Sequence, residues 1–191
     1  MIMDIFKVGV YIEELDCDLA QLTDFALWAE KNENGNQISN LSGYQSQNLD
    51  KSLDVTKPLI EKLNKNVDSY CDVLKIKRGL KLSNIWINVN RFKDSNRMHR
   101  HPQSVISGVF YVKTPKDCGN IYFETQNTIE DYWSSDNTIS YIEYNSPNWS
   151  IPPEKNHCML FPSWVSHMVK PNFNKTEERI SFSFNYNYSG I

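Results

Sequence analysis

The chain has 191 residues, 40% hydrophobic and 13% aromatic, enough for one domain with a sizeable core and no second one. A formal net charge of -3 gives no bulk attraction for a nucleic-acid backbone, which argues against a nucleic-acid partner while leaving room for a small basic groove. No apolar run approaches membrane-spanning length, Met1 to Ile5 lacks the features of a secretory signal, and Cys17, Cys71, Cys118 and Cys158 form no C-x-x-C pair. The expectation is a cytoplasmic protein with reduced thiols, no disulfide framework and no membrane partner.

The first part of the chain reads as helical. From Asp16 to about Glu30, Leu19, Leu22, Phe25, Ala26 and Ala29 recur at helical spacing, and the Asn32 to Asn36 cluster with Gly35 ends the run. A second helix starts near Thr56, a candidate cap, with Pro58 tolerated in the first turn. Its stripe of Leu59, Leu63, Val67, Tyr70 and Leu74 ends before Gly79 and needs a sheet to cover.

From Leu80 the pattern changes to strands. Ile85, Ile87 and Val89 alternate with Trp86, Asn88 and Asn90. The last strand, Arg179 to Tyr188, puts Ile180, Phe182, Phe184, Tyr186 and Tyr188 on one face and Arg179, Ser181, Ser183, Asn185 and Asn187 on the other. Between them lie short strands at Val105 to Val112, Asn120 to Phe123, Ile139 to Tyr144, Trp149 to Ile151, Cys158 to Phe161 and His167 to Lys170. Such a series suggests a mainly β protein with N-terminal helices: a cupin-like jelly roll whose helices cover the apolar outer face of the major sheet. Arg179 and the amides would then point inward. The segment Thr125 to Ser150, rich in Asn, Ser and aromatics, could form a lid or an ordinary surface excursion.

The candidate chemistry sits in Met98-His99-Arg100-His101-Pro102 and at His167. On a strand, residues i and i+2 share a face, so His99 and His101 could offer two imidazoles to one metal, and Pro102 biases His101 towards an extended backbone. Neutral imidazole suits Fe, Zn, Cu and Ni. An isolated H-x-H pair arises readily by chance, and this one is informative because a third histidine and an arginine lie on later strands. His157, between Asn156 and Cys158, reads as a turn or surface residue, with Asn156 suited to a left-handed turn. Trp86, Phe161 and Trp164 read as core or pocket-wall aromatics.

Several motifs in order carry a family resemblance: Trp86-Ile87-Asn88-Val89-Asn90, His99-Arg100-His101-Pro102, Ser107-Gly108-Val109-Phe110-Tyr111-Val112, Phe161-Pro162-Ser163-Trp164-Val165-Ser166-His167 and Arg179-Ile180-Ser181-Phe182-Ser183-Phe184-Asn185. The pattern resembles a family of 2-oxoglutarate- and Fe(II)-dependent oxygenases of bacteria and phages. The resemblance implies a double-stranded β-helix over residues 80–188, supported by a helical region over 1–79. It also implies Fe(II), O2 and 2-oxoglutarate, with ascorbate as a supporting reductant and succinate and CO2 as products. Carried over by resemblance, His99 and His167 are iron ligands and Arg179 partners the far carboxylate of 2-oxoglutarate. Ser181, Asn88 and Asn90 share faces that could meet the same co-substrate.

The chain departs from the wider superfamily where a carboxylate is expected two residues after the first ligand, because His101 stands there. Three readings stay open: His101 as third ligand, water in its place, or recruitment of Glu124. Substrate is not legible, and the reading inclines to hydroxylation of a peptidyl side chain. The rival class is a cupin-like metal-dependent isomerase or a non-catalytic metal or small-ligand module, but Pro102 to Val112 lacks the acid that cupins place after H-x-H.

Overall fold

The computed structural model describes residue 3 and residues 7–125 and 135–188. In chain order it contains β1 (Tyr11–Glu14), α1 (Leu19–Asn32), β2 (Asn40–Leu41), β3 (Tyr44–Gln45), α2 (Lys57–Leu74), β4 (Lys81–Asn90), β5 (Ser95–His99) and β6 (Ile106–Lys113). There follow β7 (Ile121–Glu124), β8 (Asn148–Ile151), β9 (His157–Pro162), β10 (Ser166–Val169) and β11 (Arg179–Asn187).

Alternation along β4 and β11 decides how the layers stack. The two strands pair antiparallel with Ile87 opposite Phe182 and Asn88 opposite Ser181, so apolar and polar residues fall on opposite faces of one sheet. That major sheet has the order β1-β9-β6-β11-β4-β3, and a minor sheet, β2-β5-β10-β7-β8, faces it. The result is a double-stranded β-helix. On the outer face of the major sheet, Ile85, Ile87, Phe110, Leu160, Phe182 and Phe184 form one core cluster with Leu22, Ala26 and Ala29 of α1 and Leu59, Leu63, Val67 and Tyr70 of α2. Each large side chain withdrawn from water there contributes roughly 1.5–3 kcal/mol, which stabilises the scaffold independently of anything bound between the sheets. Gly108 is required by this packing, since a Cβ on it would lie 2.5 Å from the Phe184 ring and 2.7 Å from Leu160.

The inner face carries the polar register. Asn88, Asn90, Tyr111, Arg179 and Ser181 all line the space between the sheets. Tyr111 pairs with Ser181, one residue past a register shift between Ile180 and Ser181 that leaves Val112 as the extra residue of β6.

Several details depart from the sequence reading. Strands β1, β2 and β3 come from the first 79 residues, so that region supplies edges to both sheets as well as helices. They were illegible because two- and four-residue strands carry too little periodicity. Asp18 caps α1 by accepting a bond from the Gln21 N–H, while Thr56 holds the N-cap position of α2 without a side-chain cap bond and donates its hydroxyl to Leu53 O. Ile139 to Tyr144 is not a strand but an exposed irregular stretch following a short 3-10 turn at Ser135–Asn137. Residues 126–134 of the segment read as a lid lie outside the described residues. Asn156 adopts the left-handed conformation anticipated for it, φ 66°.

Candidate metal centre and adjoining cavities

Three imidazoles converge on the inner side of the minor sheet. His99 ends β5 and is the register partner of His167 on β10, which in turn is opposite Phe123 of β7. His101 lies beyond the end of β5, so the i, i+2 strand argument is not what aims it. Instead its backbone N–H donates to Ser163 O at 3.0 Å, tying the turn after β5 to the turn before β10. The ligand nitrogens of His99, His101 and His167 all lie within 4.8 Å of one another and could hold a metal ion. His101 Nε2 and His167 Nε2 are 3.2 Å apart. Two nitrogens about 2.1 Å from a shared ion and at right angles would be separated by about 3 Å, so the pair suits a common metal.

Tautomers follow from the partners. His99 Nδ1 contacts Arg97 O at 2.7 Å and His167 Nδ1 contacts Val165 O at 3.0 Å. A carbonyl only accepts, so both Nδ1 atoms carry the proton and both Nε2 atoms are left as lone-pair donors. His157 makes the same kind of bond to Lys155 O, but it opens β9 beside Glu154 and is not part of the cluster. Burial pushes the His99 imidazole below its ordinary value, His101 down to about 4 and His167 down to about 3, with neighbouring imidazoles adding to the effect on the last two. All three are therefore neutral near pH 7, the state that binds a metal.

Glu124 does not join them. It follows Phe123 on β7, pairs with Ser166 and Asn148, and is exposed on the opposite face of the minor sheet from His167. Arg100 alternates away, with its Nε donating to Ser166 Oγ at 2.8 Å. Trp86 stands 5.9 Å from the His101 ring and Phe161 4.6 Å from His167, both as walls of the site, whereas Trp164 is 56% exposed and is neither core nor wall.

Behind the histidines a chamber runs between the sheets to Arg179, among the described residues the sole formally charged side chain that lines it. Arg179 is 1% exposed. Its Nη1 donates to the carbonyls of Cys118, Gly119 and Lys170, the last two at 3.1 and 3.3 Å. Its Nη2 is buried and has no partner among the described residues. Gly119 makes the cradle possible, because its φ is +85° and a Cβ there would collide with Lys170 O and come within 2.6 Å of Pro171 O. Tyr111 OH, Asn88 Oδ1 and Asn90 Nδ2 are likewise buried and unmet among the described residues. Burial raises the Tyr111 phenol above its ordinary value, which keeps it a hydrogen-bond donor. Unmet buried polar atoms are costly, so a cluster of them around one guanidinium fits an anionic, oxygen-rich ligand. Tyr111 and the Cys118-Gly119 cradle escaped the sequence reading. In β6 the run Val109-Phe110-Tyr111-Val112 is apolar on both faces and hides which residue points in, and a backbone carbonyl leaves no side-chain signal.

The chamber opens past Ser39, Trp86, His99 and His101 into a wider groove of about 810 Å³, to which the same four residues also belong. The imidazoles thus stand between two cavities. Among the described residues no helix is long and apolar enough to cross a membrane.

Comparison with known proteins accords with this layout. No curated protein sequence matches the chain. Among solved structures it resembles the non-heme alpha ketoglutarate dependent epimerase SnoN from nogalamycin biosynthesis, with TM-score 0.71 and 13% identity over 95% of this chain and 77% of the other. It resembles a Pseudomonas putida prolyl-4-hydroxylase with TM-score 0.66 and 14% identity over 96% and 94% of the two chains. HygX from Streptomyces hygroscopicus, solved with nickel and 2-oxoglutarate bound, gives TM-score 0.65 and 8% identity over 96% and 84%. At such identities the likeness speaks for the fold. The family itself rests on sequence: the family described as "Putative 2OG-Fe(II) oxygenase" matches residues 84–185, more than half of the chain and including His99, His101, His167 and Arg179, and this protein belongs to it.

Proposed function

We propose that the protein is a hydroxylase-type 2-oxoglutarate- and Fe(II)-dependent dioxygenase in which His99, His101 and His167 hold the iron and Arg179 holds the far carboxylate of 2-oxoglutarate. The observation that carries this reading is the meeting, in one chamber, of three neutral imidazoles and a buried guanidinium with one amino group unmet. Fe(II) accepts imidazole, and a planar guanidinium fits a carboxylate in a two-pronged contact. Ser181, Asn88 and Asn90 line the path between them and offer hydrogen bonds to the same co-substrate. When bound, iron, O2 and 2-oxoglutarate supply the oxidation, with succinate and CO2 as products and ascorbate keeping the metal reduced.

The chain's own residues do the rest. Val165 O and Arg97 O fix the tautomers of His167 and His99, Trp86 and Phe161 wall the imidazoles, and the backbone cradle around Arg179 Nη1 fixes the direction in which Nη2 is offered. Residues 80–188 form the oxygenase core in this reading and residues 1–79 support it. Cytoplasmic residence suits the four unpaired cysteines. A peptidyl side chain is the favoured substrate, supported by a groove wide enough for an extended segment and by the fold likeness to a prolyl-4-hydroxylase.

The test is consumption of 2-oxoglutarate. Purified protein with Fe(II), ascorbate and O2 should form succinate slowly without added substrate. Absence of 2-oxoglutarate binding at millimolar concentration, titrated with a redox-inert metal in place, would overturn the oxygenase reading in favour of a cupin-like isomerase or a non-catalytic module.

A further inference from the structure

The groove that meets the imidazoles has a chemistry of its own. Among the described residues none that lines it is acidic, although acidic residues outnumber basic ones in the chain, 23 to 20. Two guanidiniums stand along it. Arg97 Nη2 donates to Ile38 O at 2.5 Å and Arg100 Nε donates to Ser166 Oγ at 2.8 Å, so both are oriented by neutral partners. Among the described residues neither has a carboxylate within 4.0 Å, whereas Arg78 is paired with Asp72 and Arg91 with Glu30 and Glu178. Their charge is directed but not neutralised. The other walls are mainly amides and hydroxyls. Among the described residues Gln45, 4% exposed, has its Oε1 without a partner, and Asn187 Oδ1 is also buried and unmet. Side-chain amides satisfy both the N–H and the C=O of a peptide backbone, while two cations on a net-acidic chain are too few to hold a polyphosphate strand at physiological salt.

We propose that this groove binds an extended peptide bearing Asp or Glu side chains, held by Arg97 and Arg100, with the residue to be modified reaching the imidazoles past Trp86. The binding claim stands on the groove itself. The modification rests on the function proposed above.

The experiment uses the full chain loaded with Ni(II) and 2-oxoglutarate and three fluorescein-labelled probes: a ten-residue peptide alternating Glu and Gly, the same peptide with Gln for Glu, and ten-residue oligothymidine. Anisotropy should show the Glu peptide bound at least about tenfold more tightly than the Gln peptide, with the preference shrinking as salt rises. The double variant Arg97→Gln/Arg100→Gln should lose that preference. Because Arg97 also ties down Ile38 O, the single variant Arg100→Gln, at an exposed position, is measured alongside and should lose several-fold with unchanged circular dichroism. Equal affinity for both peptides, binding of neither, or wild-type preference in both variants would overturn the proposal. Tighter binding of oligothymidine that falls in the same variants would assign the groove to nucleic acid instead. Titration of 2-oxoglutarate into wild-type protein loaded with Ni(II) alone is read separately: its failure would count against the oxygenase function and leave the peptide result standing.

Discussion

His101 Nε2 lies 3.2 Å from His167 Nε2 although the two residues are 66 positions apart and only His167 sits within a strand. The bond from the His101 N–H to Ser163 O is what closes that distance, by tying the turn after β5 to the turn before β10. A neutral site of three imidazoles results, where the wider superfamily carries a negative carboxylate.

Replacing His99 or His167 with Ala should abolish tight Fe(II) binding, measured by anaerobic titration, while circular dichroism shows the fold intact, because the core between helices and major sheet does not involve the ion. His101→Ala discriminates further. Fe(II) affinity and turnover unchanged from wild type in that variant would remove His101 from the ligand set and leave water in its place, since Glu124 faces away.

Arg179→Lys keeps the charge but loses the fork. It should weaken 2-oxoglutarate binding by roughly 1.5–3 kcal/mol, about ten- to a hundredfold, with metal affinity nearly unchanged. The control is Arg78→Lys at the exposed Asp72 pair, which should leave the co-substrate affinity as it was. Equal effects of the two substitutions would deny Arg179 its role.

Gly119→Ala tests the cradle. The added methyl meets backbone oxygens rather than movable side chains, and φ is +85°, so the variant should lose on the order of 2–4 kcal/mol in denaturant unfolding and bind 2-oxoglutarate more weakly. Gly9→Ala, where none of the described residues stands within 4 Å of the new carbon, should be near neutral. A Gly119→Ala protein as stable as Gly9→Ala would show that the segment relaxes freely.

The metal-free protein should lose stability as pH falls below about 6.5, the ordinary imidazole value. His101 titrates at about 4 and His167 at about 3 in the folded chain, so between those values and 6.5 the unfolded chain binds more protons and acidification favours it. Stability from these groups is fully present above 6.5 and is lost progressively on the way down. At pH 5 the buried His167 alone accounts for about 2 kcal/mol. Denaturant midpoints at pH 7.5 and 5 should differ less in His167→Gln than in wild type, and an identical pH dependence in the two would contradict the assignment.

The layers of the fold are written in local patterns along the chain. Period-two alternation in Leu80 to Asn90 and Arg179 to Tyr188, and period-3.6 stripes in two helices, are local patterns, and each says which face must be buried and which may meet a ligand. They were enough to anticipate that the helices cover the outer face of the major sheet and that Arg179, Ser181, Asn88 and Asn90 point inward. What those residues meet is set by packing between distant segments. Whether His101 or Glu124 stands beside His167 depends on a turn-to-turn bond and on the register of β7 against β10. The environment of Arg179 depends on carbonyls 60 and 61 residues away, gathered at a glycine whose conformation no side-chain pattern announces. Alternation and helical stripes are written within a few consecutive residues, whereas register, turn conformation and backbone acceptors exist only once distant segments have been packed together.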